Sequence, residues 1–153
     1  MDAQQVREIN ARVNRAIRYQ SDDEDRWQSP EETRQRGAGD CEDYAILKLA
    51  EMLAEGCDPE DARMVYCRRQ IGRGEDAHMV LEVKVAGEFH VLDNLGSLIS
   101  RWDERPDLQP LFSFNASTMW IHGKPTEHDP RQRLGQWQKV LDRAKRQGSY
   151  LGD

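Results

Sequence analysis

The chain has 153 residues, with 22 bases against 28 acids, 37% hydrophobic and 33% charged residues. That length suits one domain spanning 1–153 with a core of its own. No run approaches the ~18 apolar residues of a membrane span, no signal-peptide pattern opens the chain, and a net charge of −6 argues against a general nucleic-acid binder. Three cysteines are too few for a disulfide scaffold, and an odd count leaves one unpaired. The imbalance of charge is local: residues 22–43 hold nine acids and three bases, which is the whole of the −6.

In chain order, Val6, Ile9, Val13 and Ile17 recur at helical spacing and predict a first amphipathic helix. Residues 20–28 read as an acidic loop ending at Trp27. Ser29-Pro30-Glu31-Glu32 is a helix start, with Ser29 as cap, Pro30 in the first helical position and Glu32 closing a capping box. Gly37 and Gly39 stop that helix. Asp40 caps the next one, with Asp43 three residues on, and Ala45, Leu49, Met52 and Leu53 give its apolar stripe up to Gly56. Cys41 then falls in its first turn.

After Pro59 the pattern changes to strands. Residues 63–69 are strand-like, and 78–85 alternate, with Met79, Leu81, Val83 and Val85 on one face and His78, Val80, Glu82 and Lys84 on the other. Ala86-Gly87 predicts a tight turn with 89–92 as the return strand. Shorter strand-like pieces follow between 98 and 121. Asp129-Pro130 opens a last helix carrying Leu134, Trp137, Leu141 and Ala144 on one side.

A cysteine at a helix N-terminus meets unpaired amides and the positive end of the helix dipole, both of which favour the nucleophilic thiolate. A thiolate nucleophile needs an imidazole nearby and a group that orients it. The hairpin offers both. A two-residue turn at 86–87 pairs 85 with 88, so Val80 lies opposite Asp93, and His78 and Asp93 become diagonal neighbours on one face. His90 points to the other face. The plain alternative is that Cys41 is a small core residue and His78 with Asp93 a surface pair. Cys57, past a helix stop, and Cys67, in a strand, read as structural.

Gly37-Ala38-Gly39-Asp40-Cys41-Glu42-Asp43-Tyr44-Ala45, then Ala77-His78-Met79-Val80-Leu81, then Val91-Leu92-Asp93-Asn94, resembles the bacterial transglutaminase-like cysteine proteinases. The likeness runs from about residue 6 to 121 and takes in Arg105-Pro106-Asp107-Leu108, Phe112-Ser113-Phe114-Asn115 and Trp120. It implies an α+β fold with a papain-like, transglutaminase-type core: N-terminal helices packed on an antiparallel β-sheet, then a C-terminal helix. It implies Cys41 as nucleophile, His78 as general base and acid, and Asp93 as orienting group, hydrolysing a peptide bond through a thioester. In adhesin-cleaving members the scissile bond lies between small residues, typically two alanines. The same residues serve a thiol amidase or a cross-linking transglutaminase, and a non-catalytic calcium-binding interaction module is the remaining alternative.

Asp40, Glu42 and Asp43 surround a cysteine that must ionise, and carboxylates oppose that. Three readings stand: helix caps with a solvated Glu42, a bound Ca2+ that cancels the charge, or recognition of a basic substrate segment. The resemblance favours calcium, held by Asp40, Glu42 and Asp43, with other ligands from elsewhere; the 22–25 run offers some but reads first as a solvated loop. The amide of Cys41 is one oxyanion donor, and Trp27 is the candidate for a second contact, against a plain reading as a core aromatic. The resemblance further implies a large surface adhesin as protein substrate, an inhibitory inner-membrane receptor responsive to cyclic di-GMP, and a periplasmic location, with a cytoplasmic variant starting at Met1 as the alternative. The basic C-terminal segment (Arg131, Arg133, Lys139, Arg143, Lys145, Arg146) is a solvated face or a dock for an acidic partner.

Overall fold

The computed structural model describes residues 1–21 and 26–153. The acidic run Asp22–Asp25, with its suggested share in calcium binding, lies outside the described residues. The first helix, α1, spans Ala3–Ala16, capped by Asp2, and buries Val6, Ile9, Asn10 and Val13. Arg18–Tyr19 (β1) pairs in parallel with Ala38–Gly39 (β2). Between them lies α2, Pro30–Arg36, with Ser29 and Glu32 making the capping box and Gly37 closing the helix at φ +67°, where glycine carries no steric cost. The next helix, α3, spans Cys41–Ala54 and is buried along most of its length.

The rest of the chain builds an antiparallel sheet in the order β6-β5-β4-β3-β7-β8-β9. These strands are β3 (Ala62–Ile71), β4 (Gly74–Val85), β5 (Glu88–Leu92), β6 (Ser100–Arg101), β7 (Leu108–Phe114), β8 (Met119–Ile121) and β9 (Lys124–Pro125). The helices cover one face. Met79, Leu81, Val83 and Val85 of β4 join Ala45, Leu49, Met52 and Leu53 of α3 and Val6, Ile9 and Val13 of α1 in the main core. Val65, Cys67, Val80, Val91 and Leu108 form a smaller apolar layer on the other face. The mixed helix and antiparallel-sheet architecture is the one expected.

Two features depart from the sequence reading. The hairpin of β3 and β4 is longer than the alternating residues suggest and pairs down to Ile71 and Gly74. Its distal half is charged and solvent-exposed on both strands, so it has no apolar alternation to read. The last helix is also broken. A short α4 (Pro130–Arg133) is separated from α5 (Gly135–Arg146) by Leu134, whose backbone leaves the helical region at φ −123°, ψ 89°. Leu134 thereby packs against the core, and Trp137, Val140, Leu141 and Ala144 of α5 are fully buried. Trp137 meets Phe114 edge-on at 5.3 Å and donates its indole N–H to the carbonyl of Asn115.

Candidate active site

The register of the second hairpin is the one read from its turn. Val85 pairs with Glu88 and Leu81 with Leu92. Ala86 and Gly87 both sit at positive φ, as the tight hairpin turn requires. His78 and Asp93 meet as a result: Nε2 of His78 lies 2.8 Å from Oδ1 of Asp93, with both side chains buried.

Cys41 is the first residue of α3. Asp40 and Asp43 exchange side-chain-to-backbone hydrogen bonds, closing a capping box that leaves the Cys41 amide among the unpaired donors of the helix start. The second oxygen of Asp43 accepts the Gln28 N–H at 2.8 Å and ties this turn to the segment before α2. Gly39 is required here by space: a Cβ on it would stand 2.6 Å from the Asp43 Cβ and 2.7 Å from its Oδ2.

Cys41 is half-buried. Its sulfur receives the backbone N–H of Met79, the residue after His78, and lies 3.4 Å from Oε2 of Glu42. Burial, then the charges of Glu42 and Asp40, push the thiol well above its usual range, against the Met79 amide. Burial and the neighbouring Asp40 raise Glu42 to about 8, and burial and the Asp40 charge raise Asp43 to about 7. Three carboxyl groups thus crowd one turn and resist ionising together. That donor set suits a hard divalent cation, whose charge removes the conflict. Among the described residues there is no group of three or more His, Cys, Asp or Glu already arranged around a single metal position. Both oxygens of Asp43 and Oδ1 of Asp40 accept backbone amides, and each oxygen keeps a further lone pair, so the carboxylates of Asp40, Glu42 and Asp43 are all able to meet a calcium ion beside Cys41.

Asp93 is held from several sides. Oδ1 also accepts the Leu95 N–H at 3.2 Å, and Oδ2 accepts Nη2 of Arg105 at 2.9 Å. Arg105 grips Asp107 with the same guanidinium. Burial alone would raise Asp93, but His78 and Arg105 outweigh it and hold the carboxyl at about 2. Arg105 carries no signal of this role in spacing or periodicity; only the loop that returns it to Asp93 reveals it.

Cys41, His78 and Asn94 line a cleft of about 500 Å³, flanked by Tyr19, Leu95 and the Arg69–Asp76 ion pair. Tyr19 and Leu95 expose more than half their surface. Trp27 is not among the residues that line this cleft; it is buried and stacks on Phe114, with ring centroids 6.2 Å apart. A second cavity, of about 430 Å³, opens among Arg63, Glu82, Trp102 and Trp120 on the other face of the sheet and contains none of the three residues.

Residues 1–109 match the family model of the bacterial transglutaminase-like cysteine proteinases. The chain belongs to that family. Among solved structures, this proteinase is 33% identical to Legionella pneumophila LapG in its EGTA-treated form, with a TM-score of 0.79, covering 92% of this chain and 77% of that one. The calcium-bound form of LapG aligns with a TM-score of 0.77 at the same identity, covering 92% of this chain and 78% of that one. A putative cysteine protease from Cytophaga hutchinsonii shares the fold at 18% identity and a TM-score of 0.52, over 81% of this chain and 45% of that one. No curated protein matches the chain. The proteinase therefore has the papain-like α+β fold, and no helix among its described residues is long and apolar enough to cross a membrane.

Proposed function

We propose that this proteinase is a calcium-dependent cysteine endopeptidase in which Cys41 is the nucleophile, His78 the general base and acid, and Asp93 the orienting group. The observation that carries the reading is the buried 2.8 Å contact between His78 and Asp93, beside a cysteine at a helix start whose sulfur meets the Met79 amide. With Nε2 committed to Asp93, Nδ1 is the ring nitrogen left to exchange a proton with the thiol. The thiolate adds to the scissile carbonyl carbon, and the oxygen takes up the electron pair. The Cys41 amide, unpaired at the start of α3, donates to that oxyanion. Protonated His78 gives its proton to the leaving amine as the C–N bond breaks, leaving a thioester. Water, deprotonated by His78, then releases the acid and restores the thiol.

Asp40, Glu42 and Asp43 would hold the calcium ion, with backbone carbonyls and water completing its oxygen shell. When bound, the ion neutralises the carboxylates that otherwise suppress the thiolate. The calcium-bound and EGTA-treated structures of LapG support this reading for a relative. The family resemblance supports a large bacterial surface adhesin as substrate, cleaved between small residues, control by an inner-membrane receptor that responds to cyclic di-GMP, and a periplasmic location. Residues 1–153 act as a single domain in this reading.

The test uses a fluorogenic peptide with a central Ala-Ala bond. Cys41→Ala is expected to keep the melting temperature and lose all cleavage; residual cleavage at wild-type rate overturns the nucleophile. EGTA is expected to abolish cleavage and lower the melting temperature, with both restored by excess Ca2+. If neither responds, the calcium reading is wrong. An added primary amine distinguishes hydrolysis from amine transfer by the product formed.

A further inference from the structure

Arg63 of β3 and Glu82 of β4 stand directly opposite each other on the sheet face away from the helices, next to the Val65–Val80 pair. Opposite charges that face each other across strands attract, yet these two form no ion pair. Nε of Arg63 donates to the Glu60 carbonyl at 3.3 Å. Its guanidinium carbon lies 3.7 Å from the centre of the Trp120 ring and 4.6 Å from that of Phe89. Oε1 of Glu82 accepts the indole N–H of Trp102 at 2.8 Å. Both side chains line the cavity of about 430 Å³, and the rings of Phe89, Trp102, Phe112 and Trp120 make its apolar wall.

Each charge is left half served. Oε2 of Glu82 and the two terminal nitrogens of Arg63 have no hydrogen-bond partner among the described residues. None of the three is among the sealed, unpartnered atoms of the interior, so they face open space in the cavity they line. Glu82 is nevertheless only 8% exposed. Burial raises its carboxyl against the pull of Trp102 and Arg63, and burial lowers the Arg63 guanidinium against the pull of Glu82. Two opposite charges are thus withdrawn from water without meeting, which is costly unless another group meets them.

The chemistry of that group follows by elimination. An apolar ligand leaves both charges unserved. A cation alone serves Glu82 and is repelled by Arg63; an anion alone does the reverse. The aromatic wall asks for an apolar body, and the volume falls within the roughly 300–1,000 Å³ of small-molecule sites. We propose that this cavity binds a free α-amino acid with an aromatic or large aliphatic side chain, its ammonium donating to Glu82, its carboxylate accepting from Arg63, and its side chain packing on the surrounding rings. The site is distinct from the cleft at Cys41: Glu82 lies four residues along β4 from His78, about 14 Å in an extended strand, and Cys41, His78 and Asp93 do not line the cavity.

The experiment titrates the full chain with L-phenylalanine by calorimetry and repeats the titration with three analogues. Phenethylamine lacks the carboxylate, 3-phenylpropanoate lacks the ammonium, and N-acetyl-L-phenylalaninamide carries neither charge. L-Phenylalanine is expected to bind saturably at one site per chain, and each analogue at least about tenfold more weakly, the scale of one buried charge left unpaired. Glu82→Gln keeps an acceptor for Trp102 and is expected to melt near the wild-type temperature and to weaken L-phenylalanine by about tenfold or more. Absence of saturable binding overturns the proposal, and so does equal affinity for an analogue that lacks one charge. Equal affinity for N-acetyl-L-phenylalaninamide overturns it in favour of a site for the interior of a peptide. Unchanged affinity in folded Glu82→Gln places the ligand elsewhere and also overturns it. Should that variant not fold, the analogue series on the wild type decides.

Discussion

Asp93 is gripped by two opposite forces of unequal size. Burial opposes its charge, while the imidazole of His78 and the guanidinium of Arg105 favour it and win, leaving the folded carboxyl near 2. The unfolded value is about 3.9. Above about pH 4 the carboxylate is charged in both states and its whole contribution, about 2 kcal/mol, is present; as pH falls from about 4 through 2 the contribution is lost. Acid unfolding of the wild type is therefore expected to steepen in that window, and Asp93→Asn to remove that part of the pH dependence in urea melts. Arg105→Ala leaves Oδ2 of Asp93 buried without a donor. The expected cost is about 1–3 kcal/mol of stability, with a fall in kcat larger than any change in KM. The pairing of His78 with Asp93 was legible in the sequence because a two-residue turn sets the strand register. Arg105 was not, since its reach to Asp93 depends on how a loop of irregular backbone returns.

At the scale of elements, Cys41 is placed by capping rather than by packing. Ser29, Asp40 and the glycines at 37 and 39 punctuate two helices in close succession, and each of these signals is local enough to read from the chain. Gly39 is the tightest point. Gly39→Ala drives a methyl group into Asp43, whose oxygens hold the amides of Gln28 and Asp40. The expected result is a loss of roughly 1–3 kcal/mol and a weaker calcium response, read by thermal melts across a Ca2+ titration. Less local features escaped. The outer half of the β3–β4 hairpin faces water on both sides, so no alternation marks it. The break at Leu134, immediately before Gly135, turns the leucine onto the core beneath it, which helical spacing alone does not mark.

Over the whole molecule, the uneven charge noted at the outset becomes a contact. Arg143 of α5 bonds Glu32 of α2 at 3.1 Å and the Trp27 carbonyl, so the basic C-terminal helix closes on the acidic N-terminal half of its own chain. Burial opposes the Glu32 charge, but Arg26, the Ser29 amide and Arg143 hold its carboxyl at about 2. Arg143→Ala is expected to cost about 1–2 kcal/mol and to loosen α5, seen as faster amide exchange over 135–146. The three cysteines add a last consequence. All are unpaired, yet Cys57 and Cys67 are buried whereas Cys41 lines the cleft. A maleimide added to the calcium-loaded protein is therefore expected to attach once, at Cys41, and three times after denaturation. Each molecule then carries its own tally: intact mass reports one label for a chain that stayed folded and three for one that opened, so a single spectrum reads the folded fraction with no dye and no substrate.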